Sequence, residues 1–139
     1  KLRDYLDAGG TLVCFDEVNQ PWLPAGQWSP RHLDVANVRL GRHPAVADLT
    51  PDQVRWHSHG AYSPYPNAEI LVDDGADGVI LFVDERSFRG TLLVGTLDPD
   101  CHAGFGTETT RPLLRALLAW LRDSAGATIG TGAQVAGVA

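Results

Sequence analysis

Two histidines flank a serine in the stretch "QVRWHSH", and alternation along an extended chain sets His57 and His59 on one face. Two imidazoles on one face can hold Zn or Fe if a third ligand converges. His102, after "LDPDC", is the candidate third ligand, with Asp98 as an added carboxylate. An alternating His pair also simply ends a core strand with polar residues, and both readings stand at this stage. Asp16 and Glu17 follow the apolar run "TLVCF", the position from which side chains meet ligands beyond a strand's carboxyl end. They are candidates for ligand binding and, with His102, for acid or base chemistry.

Other residue types carry weaker chemistry. Asp98-Pro99 reads either as a turn initiator or as a ligand-facing carboxylate. Gly104-Phe105-Gly106 resembles an anion-binding loop but lacks a dinucleotide or P-loop fingerprint. Trp22, Trp28, Trp56, Tyr62 and Tyr65 offer faces for a sugar, Trp22 above all, or else pack proline-rich loops. Cys14 reads as a small buried hydrophobe in a strand, and its distance from Cys101 matches no metal pattern. His32 and His43, beside Arg31 and Arg42, read as solvated.

The elements that must position these groups follow an α/β grammar. Leu2, Tyr5 and Leu6 repeat at helical spacing and Gly9-Gly10 supplies a stop. "TLVCF" then reads as a strand buried on both faces of a parallel sheet. The three prolines of "NQPWLPAGQWSP" predict an ordered loop packed by Trp22 and Trp28. "DVANVRLG" reads as a short strand and "HPAVADL" as a helical turn, and Thr50-Pro51-Asp52-Gln53 matches a capping box. "AEILVDD" and "GVILFVDER" flank "DGADG", which suits a hairpin turn, and "GTLLVGTLDPD" reads as another buried strand. Beyond Thr109 or Thr110 as cap, Leu114, Leu117, Leu118 and Leu121 predict one face of a helix ending near Asp123. The expected organisation is one domain over 1–123 and a Gly/Ala-rich tail or linker over 124–139.

Composition narrows the function. With 139 residues, 44% of them hydrophobic, the chain suffices for one core. A formal charge of -6 and a single lysine exclude a duplex nucleic-acid binder, which needs clustered cations. No apolar run approaches the roughly 20 residues that span a bilayer, so a soluble, cytoplasmic protein with no membrane partner is expected. The lack of Met and the start inside an amphipathic helix predict a piece cut from a longer protein.

The segments "LRDYLDAGGTLVCFDE" and "GTLLVGTLDPDCHAGFGTETTRPLLRALLAWL" resemble class I glutamine amidotransferase-like domains. That superfamily includes the ThuA-like proteins and the β-galactosidase trimerisation domains. The first segment resembles its helix, Gly-Gly and elbow strand; the second resembles its last strand, His-bearing loop and closing helix. The resemblance implies an α/β, three-layer, flavodoxin-like fold with a mostly parallel sheet, here carrying a β-hairpin insertion around residues 69 to 85. It also implies first strands lying upstream of this chain. Active members carry a nucleophilic Cys at the elbow, and here Asp16, not Cys14, falls at that place. No His-x-Glu pair follows a late strand either. The expectation is therefore a non-catalytic ligand-binding or assembly module of a larger protein, without cofactor, taking a small-molecule or carbohydrate ligand and able to self-associate or dock to missing parts of its parent chain. The alternative is a metal-assisted hydrolase in which His57, His59 and His102 hold a divalent ion and Asp16 or Asp98 serves water.

Overall fold

The computed structural model describes residues 1–15, 28–33, 37–54, 58–63, 65–97, 99, 104 and 110–132, with the backbone alone at 28, 30–33, 58, 59 and 125–132. Helix α1 (Leu2–Asp7) leads into β1 (Thr11–Cys14), and Gly9 between them takes φ 96°, a left-handed value that ends the helix. Then come β2 (Trp28–Leu33), β3 (Arg39–Leu40) and β4 (Ser58–Tyr62), with 3-10 turns at Pro44–Val46 and Pro51–Gln53 ahead of β4. β5 (Glu69–Asp73), β6 (Val79–Asp84) and β7 (Thr91–Gly95) follow, and α2 (Arg111–Gly132) closes the chain.

The strands form one mixed sheet in the order β1-β7-β6-β4-β2, with β5 also on β6 and β3 on β5. Among the described residues only β1 and β7 run parallel, and the five other pairings are antiparallel. This overturns the expectation of a mostly parallel, three-layer flavodoxin-like sheet. The physical reason lies in the connections. A parallel pair needs a crossover of a dozen or more residues, whereas only Glu85–Gly90 lie between β6 and β7. The one long helix among the described residues is α2.

The hairpin of residues 69 to 85 does form, with Asp73 opposite Val79, and it lies within the sheet. Its turn is held by its own carboxylates. Asp73 Oδ1 accepts from Gly75 N–H (2.7 Å) and from Arg39 Nε (2.8 Å), and Asp74 Oδ1 accepts from Ala76 N–H (2.9 Å) and Gly78 N–H (3.0 Å). Gly75 supplies the φ of 80° that the turn demands.

Alternation along β6 and β7 divides the core between the two faces of the sheet. Leu81, Val83 and Leu93 pack with Leu113 and Leu117 of α2, and Phe82, Leu92 and Val94 pack with Leu6 of α1 and Tyr62 of β4. Every residue of β6 is buried, as expected of a strand flanked on both sides. β1 is not buried on both faces as its apolar run suggested. It pairs only with β7 among the described residues, and Thr11 and Val13 are exposed.

Three further expectations are corrected. The backbone at Trp28 opens strand β2 where a loop was expected; Pro30 is tolerated because β2 pairs only with β4 among the described residues and has an irregularity just after the proline. The "HSH" stretch does not end a strand, since β4 runs from Ser58 on to Tyr62. Helix α2 buries Leu113 and Leu117, with Trp120 packed against the same cluster, while Leu118 is 57% exposed. The stripe 113, 117, 120 keeps helical spacing but is rotated from the predicted one, and α2 continues past Asp123 to Gly132. The expected capping box forms at Thr50, with the Thr50 N–H donating to Gln53 Oε1 at 2.9 Å. No helix among the described residues is long and apolar enough to cross a membrane.

His43 is buried, not solvated. It precedes the turn Pro44–Val46, where its Nδ1 accepts the Ala45 N–H at 3.1 Å, and its ring meets Trp120 edge-on at 4.9 Å. One imidazole thus caps a turn and joins that turn to α2. His43→Phe keeps a ring beside Trp120 but leaves the buried Ala45 N–H without its acceptor. A loss of about 1–2 kcal/mol in urea unfolding is expected, and an unchanged midpoint would refute the capping role.

Candidate functional site

The parallel pair organises one end of the sheet. Cys14 is the register partner of Val94, so the segments that begin after Phe15 and after Leu97 leave β1 and β7 at a shared end. There the Thr96 N–H donates to Ile80 O at 2.9 Å, tying the exit of β7 to the start of β6. The carboxyl end of parallel strands is where α/β folds bind ligands. Asp16, Glu17 and Trp22 belong to the first of these segments and Asp98 and His102 to the second; all five, with His57, lie outside the described residues. His59 is in β4, three residues before Tyr62, and only its backbone is described. Among the described residues no group of three or more His, Cys, Asp or Glu could hold a metal ion. Cys14 is a half-buried thiol packed against the cluster that contains Leu6, Leu92 and Val94.

The opposite end of the sheet, where β6 finishes and β7 begins, holds a polar cluster that the sequence reading missed. Asp84 is fully buried. Its Oδ2 accepts from the Tyr65 hydroxyl at 2.8 Å, and its Oδ1 accepts from the backbone N–H groups of Arg86 (2.9 Å) and Ser87 (2.8 Å). The Ser87 side chain also hydrogen-bonds this carboxylate, and the Ser87 Oγ in turn accepts from Asn67 Nδ2 at 2.9 Å. The Tyr65 ring stands edge-on to Phe82 at 5.4 Å, which fixes the direction of its hydroxyl.

Electrostatics follow from this geometry. Burial alone would raise the Asp84 pKa, but the hydrogen bonds from Ser87, Arg86 and Tyr65 outweigh it and hold the carboxyl below its ordinary value. Burial, the hydrogen bond to Asp84 and the negative charge of that carboxylate push the Tyr65 phenol well above its ordinary value. Asp84 therefore stays ionised and Tyr65 stays protonated at neutral pH. Neither is poised to exchange a proton with a substrate. What the cluster does is mechanical: it joins the turn at 65–68 to the loop at 85–90.

A signal for this cluster was present in the sequence. An Asp that ends an apolar run and is followed by Ser and Gly starts a turn through its own carboxylate, and "VDERSFRG" has that form as plainly as "LDPDC" does. The aromatic donor in "YSPYP", nineteen positions upstream of Asp84, could not be paired with it without the fold. No protein-family model, no curated protein and no solved structure matches the chain.

Proposed function

We propose that this chain is a non-catalytic, amidotransferase-like module that binds a small-molecule or carbohydrate ligand, or mediates assembly, within a larger protein. The observation that carries the reading is the parallel β1/β7 pair, which sends the segment beginning with Asp16, Glu17 and Trp22 and the segment beginning with Asp98 and His102 out of the sheet at one end. Carboxylates and an imidazole provide hydrogen bonds for hydroxyl groups, and a tryptophan provides a face for a sugar ring. The packing of Cys14 against the core cluster of Leu6, Leu92 and Val94 supports the non-catalytic part, since a nucleophilic thiolate needs an electropositive, accessible setting. Strand β1, half exposed and paired among the described residues with β7 alone, supports the assembly role, because a strand with an open side is a template for another.

The test pairs a ligand screen with an activity assay. Saturation-transfer NMR against a panel of mono- and disaccharides is expected to give at least one binder, with binding weakened about tenfold in Asp16→Asn and Asp98→Asn. Glutamine hydrolysis is expected to be absent. Hydrolysis that disappears in Cys14→Ser, or sugar binding indifferent to Asp16, Trp22 and Asp98 alike, would overturn the reading.

A further inference from the structure

Helix α2 carries two apolar stripes, and the core takes up only one of them. Leu113, Leu117 and Trp120 pack against the sheet. Leu114, Leu118 and Leu121 follow at i, i+4 and i+7, the spacing of a heptad seam with Leu118 at a and the other two at d. Leu114 and Leu121 are half-buried, and Leu118 is 57% exposed, more than any other large apolar side chain among the described residues. The turn at Pro44–Val46 closes the other flank of α2, where the His43 ring meets Trp120. Val13 of β1 is exposed on the face of the sheet that α2 covers: Leu12 and Cys14 pack with the cluster of Leu6, and alternation turns Val13 the opposite way.

Charge decides what fits this seam. Arg115 and Arg122 hold the e positions that border it, one heptad apart. Arg115 is exposed and makes no ion pair among the described residues, and Arg122 pairs on the surface with its neighbour Asp123. From Arg111 to Asp123 the helix sets three arginines against one aspartate, in a chain whose net charge is -6. A second copy meets the seam poorly. An antiparallel pair faces e with e, arginine against arginine, and a parallel pair faces e with g, here Thr110 or Leu117, neither of them acidic. A membrane-surface helix lays a broad apolar face into lipid, and the broad face of α2 is already against the sheet. We infer that the seam docks an acidic amphipathic helix of another polypeptide. Its apolar stripe packs on Leu114, Leu118 and Leu121, ridge into groove, and its Asp or Glu residues pair with Arg115 and Arg122. Such rim pairs set orientation and partner choice, while the leucines supply the buried area. The inference goes beyond the ligand reading and uses no residue of the segments that follow β1 and β7.

The test is a fluorescence-anisotropy titration of the whole chain into labelled helical peptides of about three heptads, with Leu at a and d and either Glu or Lys at e and g. The Glu peptide is expected to bind, at least about tenfold more tightly than the Lys peptide, and added salt should narrow the gap. Arg115→Glu/Arg122→Glu should reverse the preference, and Leu118→Glu should abolish binding of the Glu peptide. Leu118 is exposed and Glu is a good helix former, so that variant is expected to fold, with circular dichroism and Tm as the check. No binding of the Glu peptide, equal binding of both peptides, or wild-type affinity in Leu118→Glu would overturn the site. Self-association of the chain that Leu118→Glu removes, without peptide binding, would also overturn it and assign the seam to a second copy. Binding to phosphatidylserine vesicles in place of the peptide would assign it to a membrane.

Discussion

Asp84→Ala is expected to lose about 3 kcal/mol or more of unfolding free energy, a drop of roughly 10 °C in Tm for a domain of this size. The substitution strands the Tyr65 hydroxyl, the Arg86 and Ser87 N–H groups and the Ser87 side chain, all of which now converge on one buried carboxylate. Hydrogen bonds to an ionised acceptor are about twice as strong as neutral ones, and buried donors left without partners cost more than the bond itself contributed. Asp84→Asn preserves the shape and one acceptor oxygen, so a smaller loss of about 1–2 kcal/mol is expected. The pair also makes a statement about pH. A carboxyl with a lowered folded-state pKa contributes stability that is present above its unfolded value, about 3.9, and that is lost as pH falls through the folded value. Wild type should therefore lose more stability than Asp84→Asn between about pH 4 and pH 2. Urea unfolding at a series of pH values measures both effects. Parallel pH profiles for the two proteins would remove Asp84 as the cause of acid sensitivity.

The second large effect is expected at Gly90, where no bond is lost and the fault is purely steric. Gly90 sits at the joint where α1 and β1 meet β7. Its N–H donates to Leu6 O at 2.9 Å, and the next N–H, of Thr91, donates to Gly10 O at 3.1 Å. A Cβ at Gly90 would overlap the Gly10 carbonyl oxygen and crowd the backbone of Gly9 and Gly10. Backbone cannot rotate aside as a side chain does, so Gly90→Ala must push α1 and β1 away from β7. A cost of about 3 kcal/mol or more follows, or failure to fold. Gly9→Ala is the control: a Cβ there meets nothing within 4 Å, and only the φ of 96° is strained, a cost of roughly 1–2 kcal/mol. Thermal unfolding of the two variants side by side checks the order, and a Gly90→Ala protein as stable as Gly9→Ala would show that the joint yields.

Local signals were legible in the sequence wherever the chain settles its own conformation. The stop at Gly9-Gly10, the Asp- and Gly-built hairpin turn at 73–78 and the short turn beginning at Pro51 all form where their residues indicated. Features set by neighbours distant in sequence were harder to read. Apolar runs such as "VILFV" and "TLLV" show that a strand is buried but carry no mark of its direction. The mark was the short link between β6 and β7, too brief for a crossover helix. Trp28 and Pro30 looked like loop because proline penalises strands in general, and only strand order reveals that β2 tolerates one. Leu118 competed with Leu113 and Trp120 for the buried stripe of α2, and what decides among them is the sheet beneath and the His43 ring beside Trp120. For the site, position just beyond the predicted strands pointed to Asp16, Glu17, Asp98 and His102. Asp84, the buried carboxylate on which Tyr65, Arg86 and Ser87 converge, depends on a tyrosine that no spacing rule connects to it.

The parallel pair also sets a kinetic order for folding. Val13 and its register partner Leu93 are 80 positions apart, whereas β5, β6 and β7 are joined by short turns and meet their neighbours locally. Closing the larger loop costs more chain entropy than closing a hairpin, and that cost falls before any contact repays it. The meander of β5, β6 and β7 can therefore condense first, with Leu81, Phe82 and Val83 at its centre, while β1 adds to an edge already built. Until β1 arrives, the outer side of β7 is an open hydrogen-bonding edge. The interval between the two events is when this chain is most exposed to pairing with the wrong strand.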